Sequence, residues 1–294
     1  MAPALSAHVE HWADEDIELG EVEGALVRLR EESAHDTEGP DMRTSVMTHL
    51  AWVPAEWEEA ALRTLAGLGE RHPSRGILLL PDPGGADGID ARVSVLAFPL
   101  AEQRRHIAAE VIELRLRGSR AKAPASIVAP LLVSGLPVFL RWRGRPAFGQ
   151  PEVDQLLEIC DRFIVDSTEW PDVPDAYREL PFESAACSDI AWRRTERWRR
   201  SLAALWPGIA ELRELEVKGP VAEAMLLAGW LRSRLDHDVD LGHEHSEQLD
   251  EVVVDGDPCP SPRERPSPSD LLSAELDEFG RDPVYEAAAR AAVA

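Results

Sequence analysis

The densest group of side chains able to do chemistry is a run of tryptophans and arginines at residues 189–206. It reads Asp-Ile-Ala-Trp-Arg-Arg-Thr-Glu-Arg-Trp-Arg-Arg-Ser-Leu-Ala-Ala-Leu-Trp, within a chain that is otherwise acidic. Trp and Arg are the residue types in which protein interfaces concentrate their binding energy. The composition of this run is therefore compatible with two roles: binding to another protein and a purely structural role.

Helical spacing divides this run into two faces. Ser188 or Asp189 can cap a helix that continues without Gly or Pro to Pro207. We expect a buried apolar face made of Ala191, Thr195, Trp198, Leu202, Leu205 and Trp206. The opposite face carries Arg193, Arg197 and Arg200, and Trp192 lies off the apolar stripe near Glu196. For Trp192 and the arginine face, a solvated surface and a partner contact both remain open.

Residues of metal-binding or nucleophilic type occur elsewhere, but without a frame that would position them. His243-Glu244-His245 follows Gly242 and lacks apolar periodicity, so a solvated acidic loop is expected there rather than a metal site. Neither a Gly-x-Ser-x-Gly elbow nor a His-Glu-x-x-His motif is present. The sequence thus predicts a non-catalytic binding or regulatory protein with no metal and no cofactor.

A glycine-rich loop at residues 83–88 follows an apolar run, as phosphate-binding loops do. It lacks both the Gly-Lys-Ser/Thr ending and the Gly-x-Gly-x-x-Gly spacing, so a tight turn into the next strand is expected. The alternative is an enzyme or sensor for sugar phosphates or nucleotides, whose ligand would bind beyond the carboxyl ends of strands. That alternative assigns ligand binding to Asp82, Gly84, Gly85 and Asp166.

Composition narrows the function classes further. The chain has 294 residues, 44% of them hydrophobic, which is typical of a globular protein with a sizeable core. Its 54 acidic against 31 basic residues give a net charge of −23, which disfavours nucleic acid and anionic membranes as partners. The absence of a signal-like N-terminus or long apolar run, and three scattered cysteines, predict a cytoplasmic protein.

Strand and helix patterns alternate in the first half of the chain. A strand at residues 44–53, a helix at 55–68 and an apolar strand at 76–80 predict a parallel crossover unit. Residues 111–117 alternate apolar and charged types, which predicts a half-buried strand near a sheet edge. The expected fold class is α/β, with a mixed, mainly parallel sheet flanked by helices and a second, smaller α+β C-terminal region.

Shifts in composition suggest the domain limits. We expect an N-terminal arm and short helix at residues 1–42, an α/β domain at 43–170 and an α+β domain at 171–294. The stretch 236–262 contains nine acidic residues and no Lys or Arg, and prolines continue to residue 268. Residues 236–268 are therefore expected to be a solvated, largely flexible insertion, and deleting 236–262 should leave the melting temperature nearly unchanged.

Several segments also carry a family resemblance. Asp189-Ile-Ala-Trp-x-Arg-x-x-x-Trp-Arg199 resembles the Asp-Leu-Ala-Trp-x-Arg-x-x-x-Trp-Arg signature of the glucose-6-phosphate dehydrogenase assembly protein family, OpcA. Further similar segments follow in the family's order from about Arg43 to the C-terminus: 71–76, 129–132, 136–138 with Trp142, 161–167, 226–231 and 276–285. The chain departs from the family pattern at Arg141-Trp142, where Trp-Trp is usual, and in its acidic stretch.

The resemblance implies a cytoplasmic protein that assembles or allosterically activates glucose-6-phosphate dehydrogenase, in the oxidative pentose phosphate pathway that supplies NADPH. It makes this dehydrogenase the expected partner. The candidate contact residues are then Trp192, Arg193, Arg197, Arg200 and Trp142.

Overall fold

The computed structural model describes residues 8–36, 45–66, 68, 71–72, 74–99, 106–262 and 265–293. The chain forms two compact units, Met1–Phe163 and Ile164–Ala294. The domain limits expected from composition, including a boundary after residue 170, stay predictions.

The described residues of the N-terminal unit form both strands and helices. Its elements are β1 (His8–Asp14), α1 (Leu19–Asp36), β2 (Thr48–Trp52), α2 (Glu58–Ala66), β3 (Arg75–Asp82), β4 (Gly88–Pro99), β5 (His106–Arg117), α3 (Pro124–Val128), β6 (Val138–Trp142) and α4 (Pro151–Ile159).

The remaining elements start with a strand at the limit between the units. They are β7 (Arg162–Val165), α5 (Val173–Ala176), β8 (Ala186–Asp189), α6 (Ile190–Arg194), α7 (Glu196–Ala203), β9 (Glu214–Gly219), α8 (Val221–Leu235), β10 (Asp240–His245), β11 (Glu251–Val254), β12 (Asp257–Pro258), α9 (Pro268–Leu276) and α10 (Pro283–Ala292).

The larger sheet has eight strands in the order β1-β4-β5-β3-β2-β6-β7-β8. Strands β5, β3, β2 and β6 run parallel to one another, whereas β4 is antiparallel to β5 and β1 is antiparallel to β4. The apolar side chains of β3 from Ile77 to Leu80 are all buried, as expected for a strand covered on both faces. The predicted α/β fold with a mixed, mainly parallel sheet is confirmed.

Strand β5 lies inside this sheet, so the expectation of a strand near the edge is wrong. It pairs with β3 on one side and with β4 on the other. Its apolar residues Ile112, Leu114 and Leu116 are fully buried, while Arg115 on the other face forms an ion pair with Glu58 at 3.2 Å. The alternation of apolar and charged residues in β5 reflects the different surroundings of its two faces. It does not indicate whether the strand lies at the edge of the sheet.

The second sheet lies in the C-terminal unit and has four strands in the order β10-β9-β11-β12. Strand β10 runs parallel to β9, and β11 runs antiparallel to β9. Leu215 and Val217 of β9 point into a core that also contains Trp198, Leu202 and residues of α8. This smaller sheet with its helices confirms the predicted α+β C-terminal region.

The acidic stretch belongs to this core, so the expectation of a largely flexible insertion is wrong. Residues of β10 and β11 flank β9 on both sides. Val239, Leu249 and Val252 are buried in the same apolar cluster as Leu215. Acidic residues between these apolar positions face solvent, while a few Val and Leu side chains suffice to anchor the strands. Deleting residues 236–262 would remove these buried side chains, so the structure favours a lower melting temperature after the deletion and not an unchanged one.

Helices α8 and α10 approach each other closely at Gly229, which gives a prediction. A Cβ on Gly229 would overlap the carbonyl O of Ala288 and lie 2.7 Å from the amide N of Ala292. Gly229→Ala should therefore lower the free energy of unfolding by about 1–3 kcal/mol, because backbone must move apart. The matched control is Gly24→Ala in α1, where a Cβ meets nothing within 4 Å. That change should raise stability by about 0.5–1 kcal/mol in urea titrations; similar effects at both sites would contradict the close approach.

Candidate functional site: an arginine and carboxylate cluster beside a cleft

The tryptophan and arginine segment folds as two short helices, α6 and α7, and not as one. Asp189 caps α6 as expected, since its Oδ1 accepts hydrogen bonds from the backbone N of Ala191 at 2.8 Å and of Ser167 at 3.0 Å. Thr195 separates the helices, and its hydroxyl donates to the carbonyl O of Trp192 at 2.8 Å. A single α-helix would instead bond that carbonyl to the N–H of Glu196. The break changes the helical phase on which the two expected faces were based.

Trp192 is buried, which contradicts the expectation that it lies off the core. Only 4% of the residue is exposed, and its indole Nε1 donates to Asp282 Oδ2 at 3.0 Å. The guanidinium carbon of Arg199 lies 3.4 Å from the centre of the Trp192 ring, a cation–π contact. Tyr285 packs against the same ring with centroids 5.9 Å apart. The Trp192 ring, a candidate for partner binding, is therefore already in contact with residues far along the chain, Asp282 and Tyr285.

Trp142 is buried too, in the N-terminal unit. It stacks on Trp52 of the neighbouring strand with ring centroids 4.9 Å apart and planes 15° apart. By contrast, Leu205 and Trp206, which were expected in the apolar core, are exposed. Trp142 and Trp192, the two tryptophans predicted to contact a partner, are therefore buried, whereas Trp206, which was expected in the core, is exposed.

The three arginines of the predicted face have different surroundings. Arg193 Nε donates to Glu275 Oε1 at 2.7 Å, and Glu275 is buried, so this arginine does not belong to a solvated face. Reversing its charge would place two carboxylates together, so we expect that change to destabilise the fold. Arg197 is exposed and borders a cleft, and Arg200 is exposed and pairs with Glu196. A partner contact by Arg197 and Arg200 stays a prediction.

Arg194 is the centre of the site, and sequence reasoning did not single it out. Its guanidinium binds Asp166 through two bonds, Nη1 to Oδ1 at 2.9 Å and Nη2 to Oδ2 at 2.6 Å. The same Nη1 lies 3.5 Å from Glu223 Oε1. Asp166 also accepts a hydrogen bond from the Thr168 hydroxyl at 2.6 Å. The available signal was the Arg position of the signature motif, which Arg194 occupies.

Three buried carboxylates lie around the guanidinium of Arg194. Asp166, Asp189 and Glu223 are at most 5% exposed, and all three interact with Arg194. Burial, together with the charge of Asp166, raises the pKa of Asp189 to about 7. Burial also raises the pKa of Glu223 to about 7, although Arg194 acts in the opposite direction. The cluster therefore retains protons into the neutral range.

A cleft of about 330 Å³ opens beside Arg194 within the C-terminal unit. This volume is in the range of small-molecule sites. Polar groups on its wall come from Thr168, Arg194, Arg197 and Glu223, and apolar surface comes from residues such as Trp198. The remaining lining residues are Pro220, Glu247, Gln248, Leu249, Ser261, Pro262, Arg265, Pro266, Pro268 and Leu271. Guanidinium and hydroxyl groups of this kind can bind phosphate or carboxylate oxygens.

Comparison with known families covers both sides of this cluster. Residues 66–181, which include Asp166, match the family described as the N-terminal domain of the glucose-6-phosphate dehydrogenase subunit. Residues 185–261, which include Arg194 and Glu223, match the family described as the C-terminal domain of that subunit. This chain belongs to the OpcA family.

Individual relatives agree with this membership. The chain is 32% identical over 181 residues to a protein of Nostoc punctiforme named putative OxPP cycle protein OpcA, a match that covers 56% of this chain and 38% of the relative. A protein of the same name from Synechococcus elongatus is 29% identical over 182 residues, covering 57% of this chain and 41% of the relative. The chain thus spans about two fifths of the length of these OpcA relatives.

The raised pKa of Glu223 in this OpcA protein gives a pH prediction. A carboxyl with a pKa of 4.5 when unfolded and about 7 when folded binds its proton more tightly in the folded state. Its contribution to stability is complete below pH 4.5 and is lost as the pH rises through about 7. Glu223→Gln removes this titration, so relative to wild type the variant should gain stability from pH 5 to pH 7, by at most about 1.4 kcal/mol per pH unit. Urea titrations at several pH values measure this, and a pH-independent difference would contradict it.

The glycine-rich loop of this OpcA chain lies in the N-terminal unit and joins β3 to β4. A strand follows it, so the loop lacks the helix N-terminus that phosphate loops use. Asp87 Oδ1 accepts a hydrogen bond from the backbone N of Ser119 at 2.7 Å, which fixes the loop against the end of β5. Asp82 ends β3, Gly84 and Gly85 lie in the turn that follows, as expected, and Asp166 binds Arg194 instead. Ligand binding by these four residues stays a prediction.

The remaining candidates have structural surroundings. His243 Nε2 lies 2.8 Å from the carbonyl O of Gly219, and the described part of the chain contains no group of three or more potential metal ligands. Cys187 and Cys259 are buried, and burial raises the pKa of Cys160 to about 12. Over the same residues, no helix is long and apolar enough to cross a membrane.

Proposed function

We propose that this OpcA-family chain is a non-catalytic partner of glucose-6-phosphate dehydrogenase that assembles with the enzyme and raises its activity. The observation that carries the proposal is the consecutive match to both domains of the family, at residues 66–181 and 185–261. The names of the relatives, which place them in the OxPP cycle, point to the same pathway.

The geometry of the cluster supports a role without catalysis. The two carboxylate oxygens of Asp166 are bonded to Arg194. Asp189 accepts from the backbone N–H of Ala191 at the start of α6 and from that of Ser167 after β7, so it orders the backbone at both places. In these contacts the charged groups hold α6 and α8 in place. Such a structural role suits a protein that acts by presenting a defined surface to a partner.

Activation requires a difference in affinity. A partner that bound the active and inactive states of the dehydrogenase with equal affinity would not change the equilibrium between them, however tight the complex. We therefore propose that the chain binds the active state more tightly, by the 1–3 kcal/mol that is typical of allosteric coupling.

The test is a mixture of the purified chain with the dehydrogenase of the same organism. Gel filtration with light scattering should show a complex, and the initial rate of glucose 6-phosphate oxidation should rise to a plateau as the chain is added. Separate elution together with an unchanged rate at about 10 μM chain, a concentration well above typical dissociation constants of specific complexes, would contradict the proposal.

A second candidate function is a sensor of sugar phosphates or nucleotides, which the cleft beside Arg194 favours. Thr168, Arg194 and Arg197 border it, and its volume of about 330 Å³ suits a small ligand. Thermal-shift measurements with glucose 6-phosphate and nucleotides, without dehydrogenase, separate the two functions. A rise in melting temperature that Arg197→Ala abolishes would support the sensor, and unchanged melting with all ligands would exclude it.

A further inference from the structure

The end of α7 and the turn after it expose six consecutive apolar or small residues. These are residues 203–208, Ala-Ala-Leu-Trp-Pro-Gly, here called the apolar tip. Leu205 is 38% exposed and Trp206 is 67% exposed. Soluble proteins rarely leave such runs in water unless they serve an interaction.

Trp206 differs from the other tryptophans of the chain. All nine lie in the described residues, and the other eight are buried or half-buried. Leu205 and Trp206 are also the one pair of exposed large hydrophobic residues adjacent in sequence within the described part of the chain. A protruding indole is the side chain most enriched among the residues that dominate interface affinity.

The apolar tip is held in one conformation by the structure beneath it. Leu202 and Ile209, directly before and after the tip, are buried in the core of the C-terminal unit. Within the tip, the backbone N of Leu205 donates to the carbonyl O of Leu202 at 3.0 Å, and the backbone N of Ile209 donates to the carbonyl O of Leu205 at 3.3 Å. A rigid protrusion loses little conformational entropy when it binds, which favours affinity.

The segment around the tip is less acidic than the chain as a whole. Residues 197–210 contain Arg197, Arg199 and Arg200, with Glu196 and Glu211 on either side, whereas the whole chain carries a net charge of −23. The side chain of Arg200, one turn before the tip, is 76% exposed. Its ion pair with Glu196 lies at the surface, where such pairs contribute little and exchange readily. The complementary surface is therefore an apolar cleft with carboxylates at its rim.

We propose that the apolar tip, with Trp206 as the anchor, docks into such a cleft on the dehydrogenase. This inference rests on the proposed function. A second copy of the chain is the less suitable occupant, because association would bring together two molecules that each carry a net charge of −23. An exposed apolar tip that follows three arginines instead fits a different protein.

The test compares the affinities of wild type and variants for the dehydrogenase by calorimetry. Trp206→Ala should weaken binding by about 30-fold or more, as expected for the loss of a central aromatic anchor. Phe279→Ala is the matched control, because Phe279 is 64% exposed and lies outside the tip. It should bind within about 3-fold of wild type. Arg200→Glu should slow association and reduce its dependence on salt.

The outcomes separate this inference from the function on which it rests. If wild type binds and Trp206→Ala binds equally tightly, or Phe279→Ala loses as much affinity, the docking inference fails and the proposed function stands. If wild type shows no binding, the proposed function fails. Melting curves of both variants should match wild type because both side chains are exposed, and light scattering of the chain alone should give a monomer. A dimer that Trp206→Ala dissociates would overturn the inference in favour of self-association.

Discussion

Replacing Arg194 by methionine should lower the free energy of unfolding by about 3–5 kcal/mol at pH 8. The side chain of Arg194 is 30% exposed, whereas those of its partners Asp166 and Glu223 are 6% and 3% exposed. Methionine fills much of the same volume but removes the guanidinium that both buried carboxylates contact. Uncompensated buried charge is among the largest sources of destabilisation by a single substitution.

The loss should shrink when the pH is lowered. Without Arg194, the buried carboxyls hold their protons more tightly in the folded state, so the stability of the variant falls more steeply as the pH rises. Urea titrations at pH 5 and pH 8 should show the larger difference from wild type at pH 8. Arg200→Gln is the matched control, because Arg200 pairs with Glu196 at the surface, and it should change stability by no more than about 0.5 kcal/mol. Equal effects of the two substitutions would contradict the cluster as described.

Replacing Trp192 by alanine should also cost about 3–5 kcal/mol. The substitution removes a ring that is 4% exposed, its cation–π contact with Arg199 and its hydrogen bond to Asp282. Thermal or urea unfolding should therefore register a large change. An unchanged unfolding curve would show that the ring lies at the surface, as helical phase alone suggested.

Trp192→Phe separates packing from hydrogen bonding. Phenylalanine keeps an aromatic ring between Arg199 and Tyr285 but cannot donate to Asp282. Asp282 still accepts from the backbone N of Val284 and of Tyr285, so the loss should be about 1–2 kcal/mol. A loss equal to that of the alanine variant would show that the indole N–H, and not ring packing, stabilises this part of the C-terminal unit.

Much of the fold could be predicted because it depends on local patterns. The run Gly76–Leu80 is apolar without interruption, and it lies in the buried strand β3. Asp189 was expected to cap a helix, and its carboxylate does accept from the N–H of Ala191. Such features need only neighbouring residues, so the sequence contains them directly. The interior position of β5 could not be predicted, because strand order depends on pairings with residues far along the chain.

The site was harder to predict because its contacts are long-range. Arg194 meets Asp166 across 28 residues, and Trp192 meets Asp282 across 90 residues. The prediction of the two faces assumed that residues 189–206 form one continuous helix. In the structure Thr195 separates two helices, and its hydroxyl donates to the carbonyl O of Trp192. The prediction for the acidic stretch 236–262 failed for a different reason. Its composition indicated a solvated segment, although a few buried side chains such as Val252 are enough to fix strands beside β9.

The most direct test of the proposed activating role is a calorimetric titration of glucose-6-phosphate dehydrogenase with this chain, with and without saturating glucose 6-phosphate. An activator that prefers the active state must change its own affinity when substrate shifts the enzyme towards that state, because the coupling is reciprocal. We predict a specific complex whose dissociation constant falls by about 5–150-fold when substrate is present. No heat of binding at about 10 μM protein in either condition, or equal dissociation constants in both, would contradict allosteric activation by this chain.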